Sequence, residues 1–403
     1  MIKSIEDYID IVGTGTVSGI YKKARKLYGK HVCHINSTFL GGGVAEILGR
    51  LVSLMNEVGP NADWRIIHGN PAFFDVTKSF HNALQGGPIK LTKMKKSIYQ
   101  DVNQEFAGYT NLNYDCVIAH DPQPLPLIKF YKKRQPWIWR CHIDLSDPNE
   151  ELWEFLQRFI VRYDMIIVSS EKYKKKDLPV EQRVIPPAIA ALSLKNMELS
   201  DGDILKYMKD AGIPTDKPII AQVSRMDIWK DPEGVLEVYK LVKEKVDCRL
   251  LYCYNLATDD PEGMAIYSKV YSKAKKLAEN GDVLFVVGNN DLLVNAIQRF
   301  STVIIQKSVK EGFALTVTEA LWKAKPVVAS NVGGISQQVK DGVTGFLADP
   351  HDHKAFADRI IKLLKDPKLA ENIGKRAKEH IRENFLTTRL LSDYLDLLSD
   401  ILN

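Results

Sequence analysis

The sequence predicts an α/β protein of two doubly wound parallel sheets, and three observations carry that expectation. Short apolar runs recur in both halves, each followed by a polar or glycine-rich loop and then a helical pattern. The run His31-Val32-Cys33-His34-Ile35 passes through Asn36 to Gly41-Gly42-Gly43 and into Val44-Ala45-Glu46-Ile47-Leu48, a strand, turn and helix. The pattern breaks into a connector between Pro186 and Asp201, and a second α/β region opens at Pro218-Ile219-Ile220-Ala221-Gln222-Val223. A chain of 403 residues is too long for one ordinary core and suits two domains of roughly 200 each.

Composition narrows the function. Apolar residues make up 45% and charged residues 26% of the chain, the balance of a soluble globular protein. A net charge of +5 is small for this length, and the runs Lys172-Tyr173-Lys174-Lys175-Lys176 and Lys93-Met94-Lys95-Lys96 read as solvated surface, not a nucleic-acid stripe. No apolar run approaches the length that spans a bilayer, and the early acids Glu6 and Asp7 are unlike a signal peptide. The five cysteines, Cys33, Cys116, Cys141, Cys248 and Cys253, are an odd set without metal-ligand spacing. A reducing, cytoplasmic compartment is expected.

Taken in order, residues 3–28 read as helical, from apolar positions at Ile5, Ile9, Val12, Val17, Ile20, Ala24 and Leu27. After the first strand, Gly42 and Gly43 let backbone N–H groups approach a ligand. Further strands are expected at residues 64–68, 116–119, 137–141 and 165–168. His120-Asp121-Pro122-Gln123-Pro124 follows the second of these and His142-Ile143-Asp144 the third. Open α/β sheets bind ligands at such carboxyl edges, so His120, Asp121, Gln123 and His142 are expected to converge. Asp147 reads as an N-cap with Pro148 at the first helical position. Asp201-Gly202-Asp203, following Ser200, reads as a helix cap and not a metal-holding carboxylate pair.

In the second half the strand from Ile219 ends in Ser224-Arg225, with Lys230 five residues later and the helix-start signal Asp231-Pro232 beyond it. Arg offers a planar fork to a diphosphate and Lys a point charge. The strands 249–253 and 283–287 follow, the latter running into Gly288-Asn289-Asn290-Asp291, a turn that can meet a base edge. After Val303-Ile304-Ile305 comes the stretch Lys310-Glu311-Gly312-Phe313-Ala314-Leu315-Thr316-Val317-Thr318-Glu319. A helix starting near Leu315 leaves Glu311 in the loop and Glu319 about one turn inside, on either side of an anion site at the helix N-terminus. A diphosphate between two polyols, the shape of a nucleotide sugar, fits that arrangement. Leu391, Leu395, Leu398 and Leu402 form an amphipathic terminal helix.

Ser224-Arg225 with Lys230, Glu311 with Glu319, Pro326-Val327-Val328-Ala329 and Gly345-Phe346-Leu347 resemble, as a set, the retaining glycosyltransferases of family 4, which includes sucrose-phosphate synthase and bacterial-type glycogen synthases. A closer resemblance, over nearly the whole chain, is to the trehalose glycosyltransferring synthases. It rests on Asn36-Ser37-Thr38 with residues 41–48, and on residues 120–124, 137–144, Asp259-Asp260-Pro261-Glu262-Gly263 and 315–323. Ala314 stands where the family carries a second glycine, Met226 where it carries Phe, and Tyr252-Cys253-Tyr254-Asn255 where it carries an apolar, glycine-containing strand end.

The resemblance implies the GT-B architecture, two Rossmann-like domains facing a cleft. Residues 1–195 would form the acceptor domain, residues 196–385 the nucleotide-sugar domain, and the helix 386–403 would pack back on the first. By matching motif, Arg225 and Lys230 bind the diphosphate and stabilise the departing nucleoside diphosphate. Glu311 with Phe313, Ala314 and Leu315 holds the donor glucose and phosphate, and Glu319 the ribose; Gly312 and Thr316 in the same stretch, with Gly288 and Asn289 of the turn described above, are also expected to bind substrate. His142 touches the donor sugar, and Asp121 with Gln123 seats the acceptor. The expected reaction moves glucose from ADP- or UDP-glucose to glucose, giving trehalose reversibly, with no metal or other cofactor required. The expected partners are the nucleotide-sugar donor and the sugar acceptor, with no nucleic acid and no membrane, and a homodimer is left open. A family member with another acceptor, a sugar-nucleotide epimerase and a non-catalytic nucleotide-sugar-binding protein stay open beside it.

Overall fold

A computed structural model describes residues 3–39, 41–255 and 261–402, so the motif positions Asp259 and Asp260 lie outside the described residues. The chain forms two compact units, Met1–Ala188 with Leu386–Asn403, and Ile189–Phe385. Each is a six-stranded, wholly parallel sheet flanked by helices, the α/β doubly wound class that the sequence predicts. Among the described residues no helix is long and apolar enough to cross a membrane.

The first sheet holds β1 (His31–Asn36), β2 (Asn61–Ile66), β3 (Cys116–His120), β4 (Trp137–Arg140), β5 (Met165–Val168) and β6 (Glu181–Val184), in the order β2-β1-β3-β4-β5-β6. Strands covered on both faces read as unbroken apolar runs, and every residue of β3, β4 and β5 is buried. The second sheet holds β7 (Ile219–Arg225), β8 (Arg249–Asn255), β9 (Val283–Val287), β10 (Val303–Gln306), β11 (Val327–Ser330) and β12 (Phe346–Ala348), in the order β12-β11-β10-β7-β8-β9. Chain direction across the sheet reverses between β1 and β3 in one unit and between β7 and β10 in the other. Ligands of open α/β sheets bind outside the strand ends at such points.

Three local expectations shift. The N-terminal helical segment is broken at Gly13, whose φ of 82° is glycine territory and ends the turn Ile9–Val12 before Thr14–Ala24 begins. The second strand lies at Asn61–Ile66, three residues earlier than its apolar pattern suggests, because Asn56 holds both the N–H and the carbonyl of Ala62 at 2.7 and 2.9 Å. It is a half-exposed edge strand, so hydropathy reports its limits poorly. The helix Glu150–Ile160 is capped by Asn149, which accepts from the Leu152 N–H at 3.2 Å, leaving Asp147 and Pro148 ahead of the cap. Ser200 caps Asp201–Asp210 through the Asp203 N–H, so Asp201 and Asp203 are first-turn acids.

The terminal helix Thr387–Leu402 packs on the helices Thr14–Ala24 and Gly43–Val58 of the first unit. Lys23 fastens it, reaching Ser392 at 2.7 Å and Asp396 at 2.5 Å. In the second unit the helix Pro367–Asn384 presses against the helix Leu315–Trp322 through Gly374. A Cβ on Gly374 would lie 1.9 Å from the Ala324 carbonyl oxygen. Gly374→Ala is therefore expected to destabilise the second unit by about 3 kcal/mol, read from denaturant unfolding. A loss below about 0.5 kcal/mol would mean that the two helices do not pack this closely.

Candidate active site

The second unit's site grows from the loops that leave β7 and β10. Asp227 caps the short turn Ile228–Lys230, accepting from the N–H groups of Trp229 and Lys230 at 3.0 and 3.1 Å. Its carboxylate also pairs with Arg225 at 2.7 Å, while the Arg225 side chain stays 59% exposed. The turn is stitched across the sheet reversal: the Val309 N–H donates to the Trp229 carbonyl at 2.9 Å and Gln222 to the Lys230 carbonyl at 2.8 Å. The Lys230 ammonium meets the Glu311 carboxylate, both largely buried, and Ser308 donates to the same carboxylate oxygen at 3.2 Å. Below them the fully buried Lys307 pairs with Asp231, which caps the helix Pro232–Lys243 from a left-handed backbone with φ 44°.

The loop then turns sharply into the helix Leu315–Trp322. Ala314 sits at its N-cap with φ 72° and ψ 76°, a left-handed conformation that costs any residue with a Cβ. Gln338, fully buried, holds that turn: its amide nitrogen reaches the Phe313 and Ala314 carbonyls, and its oxygen accepts from Thr318 at 2.6 Å. Among the described residues no side chain caps the helix; Val317 and Thr318 donate back to the Ala314 carbonyl at 3.1 and 3.4 Å, which leaves the Leu315 and Thr316 N–H groups at the positive end of the helix dipole. Glu319, 1% exposed, lies one turn inside. Lys195 stands 3.9 Å from it and 4.0 Å from Asp291, just past the Gly288-Asn289 turn. Gln298 approaches Glu319 at 3.5 Å and is held by Lys323 at 2.7 Å. Arg225, Lys230 and Glu311 thus lie at the switch point, and Glu319 is linked through Lys195 to Asp291, two residues past Asn289.

The first unit gathers its residues around the reversal between β1 and β3. Asp121 leaves β3 with φ 62°, and its carboxylate accepts from the His142 N–H at 2.7 Å. Burial raises that carboxyl to about 6 against the pull of His142 N–H and Arg140. Gln123 is half-buried, and its carbonyl accepts from Asn103 at 3.0 Å. Gly42 caps the helix Gly43–Val58 with φ 81°, in open space. His34 of β1, His120 of β3 and His142 form a row, with ring nitrogens 3.0 Å apart at each step.

Two of the family departures are largely core positions, Asn255 alone of them being exposed at the carboxyl end of β8. Met226 is 3% exposed, and Tyr252 is buried, stacked on Phe285 and donating to the Pro232 carbonyl at 2.7 Å. Sequence reading missed Lys195, Ser308, Gln338 and His34. A histidine inside a buried strand was a usable signal for His34; the others lie in loops and helices whose partners are distant in the chain.

Comparison with known proteins accords with this geometry. Residues 34–175 match the family model "Trehalose synthase, N-terminal domain", and residues 203–380 match "Glycosyl transferases group 1". The sucrose-phosphate synthase of Thermosynechococcus elongatus superposes at a TM-score of 0.73 and 19% identity, over 92% of this chain and 98% of its own. The two doubly wound units together with these matches define a GT-B glycosyltransferase. A trehalose synthase of Thermococcus litoralis is 48% identical over 404 residues, 98% of this chain and 97% of its own. One from Rubrobacter xylanophilus is 42% identical over 413 residues, 99% and 97% of the two chains. The chain belongs to the trehalose synthase family.

Two outcomes follow from the site's local physics. Ala314→Gly removes the left-handed penalty, so it is expected to stabilise the protein by about 1 kcal/mol, read as a raised unfolding midpoint; destabilisation would show that the methyl group packs usefully. Acid is expected to weaken the first unit. Burial lowers His34 to about 3 from an ordinary 6.5, and burial with neighbouring positive charge lowers His120 and His142 as well. The unfolded rings then bind protons near pH 6.5 while the folded rings do not, so stability falls as pH drops below that value. Asp121, protonated near 6 in the fold, opposes only one of the three. His34→Leu should shrink the pH slope of stability between 6 and 4 by about 1.4 kcal/mol per unit; an unchanged slope would mean that His34 is protonated in the fold.

Proposed function

We propose that this protein transfers glucose from a nucleoside diphosphate glucose, ADP- or UDP-linked, to free glucose, forming α-linked trehalose reversibly with retention of configuration, in the cytoplasm. The observation that carries the reading is the Lys230–Glu311 pair beside Arg225, set against the uncapped N-terminus of Leu315–Trp322. The trehalose synthases that share nearly half of its residues over almost the whole chain support the acceptor and product.

A glycosyl transfer separates an oxocarbenium-like sugar from a diphosphate that gathers charge as it leaves. Arg225, Lys230 and the helix N–H groups supply positive charge on one side of that anion, already oriented before reaction. Glu311 keeps Lys230 charged and aimed until a phosphate oxygen takes its place, and then accepts hydrogen bonds from the donor glucose hydroxyls. Glu319, fixed by Lys195 and Gln298, accepts from the ribose hydroxyls. Attack from the face that the diphosphate leaves retains configuration, with a phosphate oxygen taking the acceptor's proton. In the first unit, Asp121 and Gln123 bind acceptor hydroxyls and His142 a sugar hydroxyl. All five cysteines are free and buried, which suits a reducing compartment.

The purified chain, given nucleotide glucoses and glucose in the presence of EDTA, is expected to make trehalose. No trehalose with any nucleotide would reject the reaction, and activity only after metal addition would reject metal independence. Conversion of the donor alone would point to an epimerase. Lys230→Ala is expected to cut turnover about a hundredfold or more, the effect of losing one charge partner of a transition state; near-normal turnover would remove Lys230 from the site.

A further inference from the structure

The three histidines of the first unit form a continuous hydrogen-bonded row across adjacent strands. His34 Nδ1 lies 3.0 Å from His120 Nε2, and His120 Nδ1 lies 3.0 Å from His142 Nε2. The sheet dictates this. His34 lies opposite Ile118 in the β1/β3 register, and His120 opposite Arg140 in the β3/β4 register, so the rings step toward the carboxyl edge one strand at a time. The His120 and His142 ring planes are nearly parallel, at 18°. His34 and His120 are fully buried, whereas His142 is only half-buried and stands at the edge where ligands bind.

Each gap in the row needs one proton. Three neutral rings carry one N–H each, so two arrangements satisfy both hydrogen bonds. In one, every ring is protonated on Nδ1, His34 donates to His120, and His120 donates to His142. In the other, every ring is protonated on Nε2 and both bonds run the opposite way. The two differ at the inner end, where His34 Nε2 is buried without a hydrogen-bond partner among the described residues. The second arrangement puts an N–H there, a buried donor left unpaired. The first puts a lone pair there, the cheaper defect. The rings are kept neutral by their surroundings: Arg140 is buried beside the row, with Ser169 as its one side-chain hydrogen-bond acceptor among the described residues, and Tyr394 faces His34 at 6.0 Å between ring centroids. Asp121 is engaged with the His142 backbone N–H and not with a ring nitrogen.

We propose that His34 and His120 are positioning residues that fix His142 as the Nδ1–H tautomer, so that the protein presents a hydrogen-bond donor, aimed at a substrate hydroxyl oxygen, at the carboxyl edge of its first sheet. The unpartnered end of the row, two strands away, sets the polarity of the group that meets ligand. The assignment of that ligand as a sugar rests on the proposed function; the tautomer does not.

Nitrogen-15 spectra of the full chain, labelled at its 9 histidines and assigned with the half-buried His142→Gln, decide the matter without a core substitution. At neutral pH the wild-type His142 is expected to show a protonated Nδ1 and an unprotonated Nε2. A protonated Nε2, or a charged ring, would overturn the proposal. In His120→Leu the His142 signal should become a mixture of both tautomers, and kcat/KM for nucleotide glucose should fall three- to tenfold. His120→Asn, which keeps a donor near the old Nδ1 position, should restore both readouts. An unchanged His142 signal in folded His120→Leu would also overturn the proposal. The expected tautomer in a chain that transfers no glucose would leave this inference standing and reject the function.

Discussion

The second unit depends on one ion pair. Lys230 follows β7 and Glu311 follows β10, strands that are neighbours in the sheet but 81 positions apart at these residues, and the pair closes the gap where the sheet order reverses. Two charges this well buried cost much of what their attraction returns. The pair is better understood as a constraint on geometry than as a source of stability. Its surroundings agree: Ser308 donates to the same Glu311 oxygen as Lys230, Gln222 and Val309 hold the backbone of the Lys230 turn, and Lys307 with Asp231 forms a second pair nearby. With the carboxylate alone, an unpaired negative charge would sit in the proposed diphosphate site. With the lysine alone, an unpaired buried ammonium would draw the two loops out of place.

The same economy governs the turn beside it. The chain turns sharply between Glu311 and the helix, which puts Ala314 in left-handed backbone. Gln338 meets the cost by binding the carbonyls that this turn leaves exposed. Gly334 lets a second loop approach, since a Cβ there would lie 2.6 Å from the Gly312 carbonyl oxygen. Local strain is tolerated because distant, buried groups determine the loop's path.

Much of this was legible in the sequence, for a physical reason. Parallel strands buried on both faces must be apolar throughout, so β3, β4, β5 and β10 announce themselves, and switch-point ligands must directly follow such strands. The places of Arg225, Asp121, His142 and Glu311 at or beyond the ends of their strands could therefore be read from the sequence. The edge strand β2 was misplaced because it is half-exposed and held by a side chain, Asn56, with no hydropathy signature. Gln338, Lys195 and Ser308 escaped because their roles depend on partners that only the folded sheet brings near. The left-handed turn at Ala314 escaped too: the family pattern pointed to a glycine there, yet the chain pays for alanine with Gln338 in place of conformational freedom.

The central claim is that the Lys230–Glu311 pair marks the diphosphate site. Calorimetric titration of ADP and UDP into the intact protein and into Lys230→Ala tests it most directly, since it needs neither acceptor nor turnover. The account predicts binding of at least one nucleotide to the native chain, weakened about tenfold or more in the variant while the variant stays folded. Equal affinity in the two proteins would contradict it.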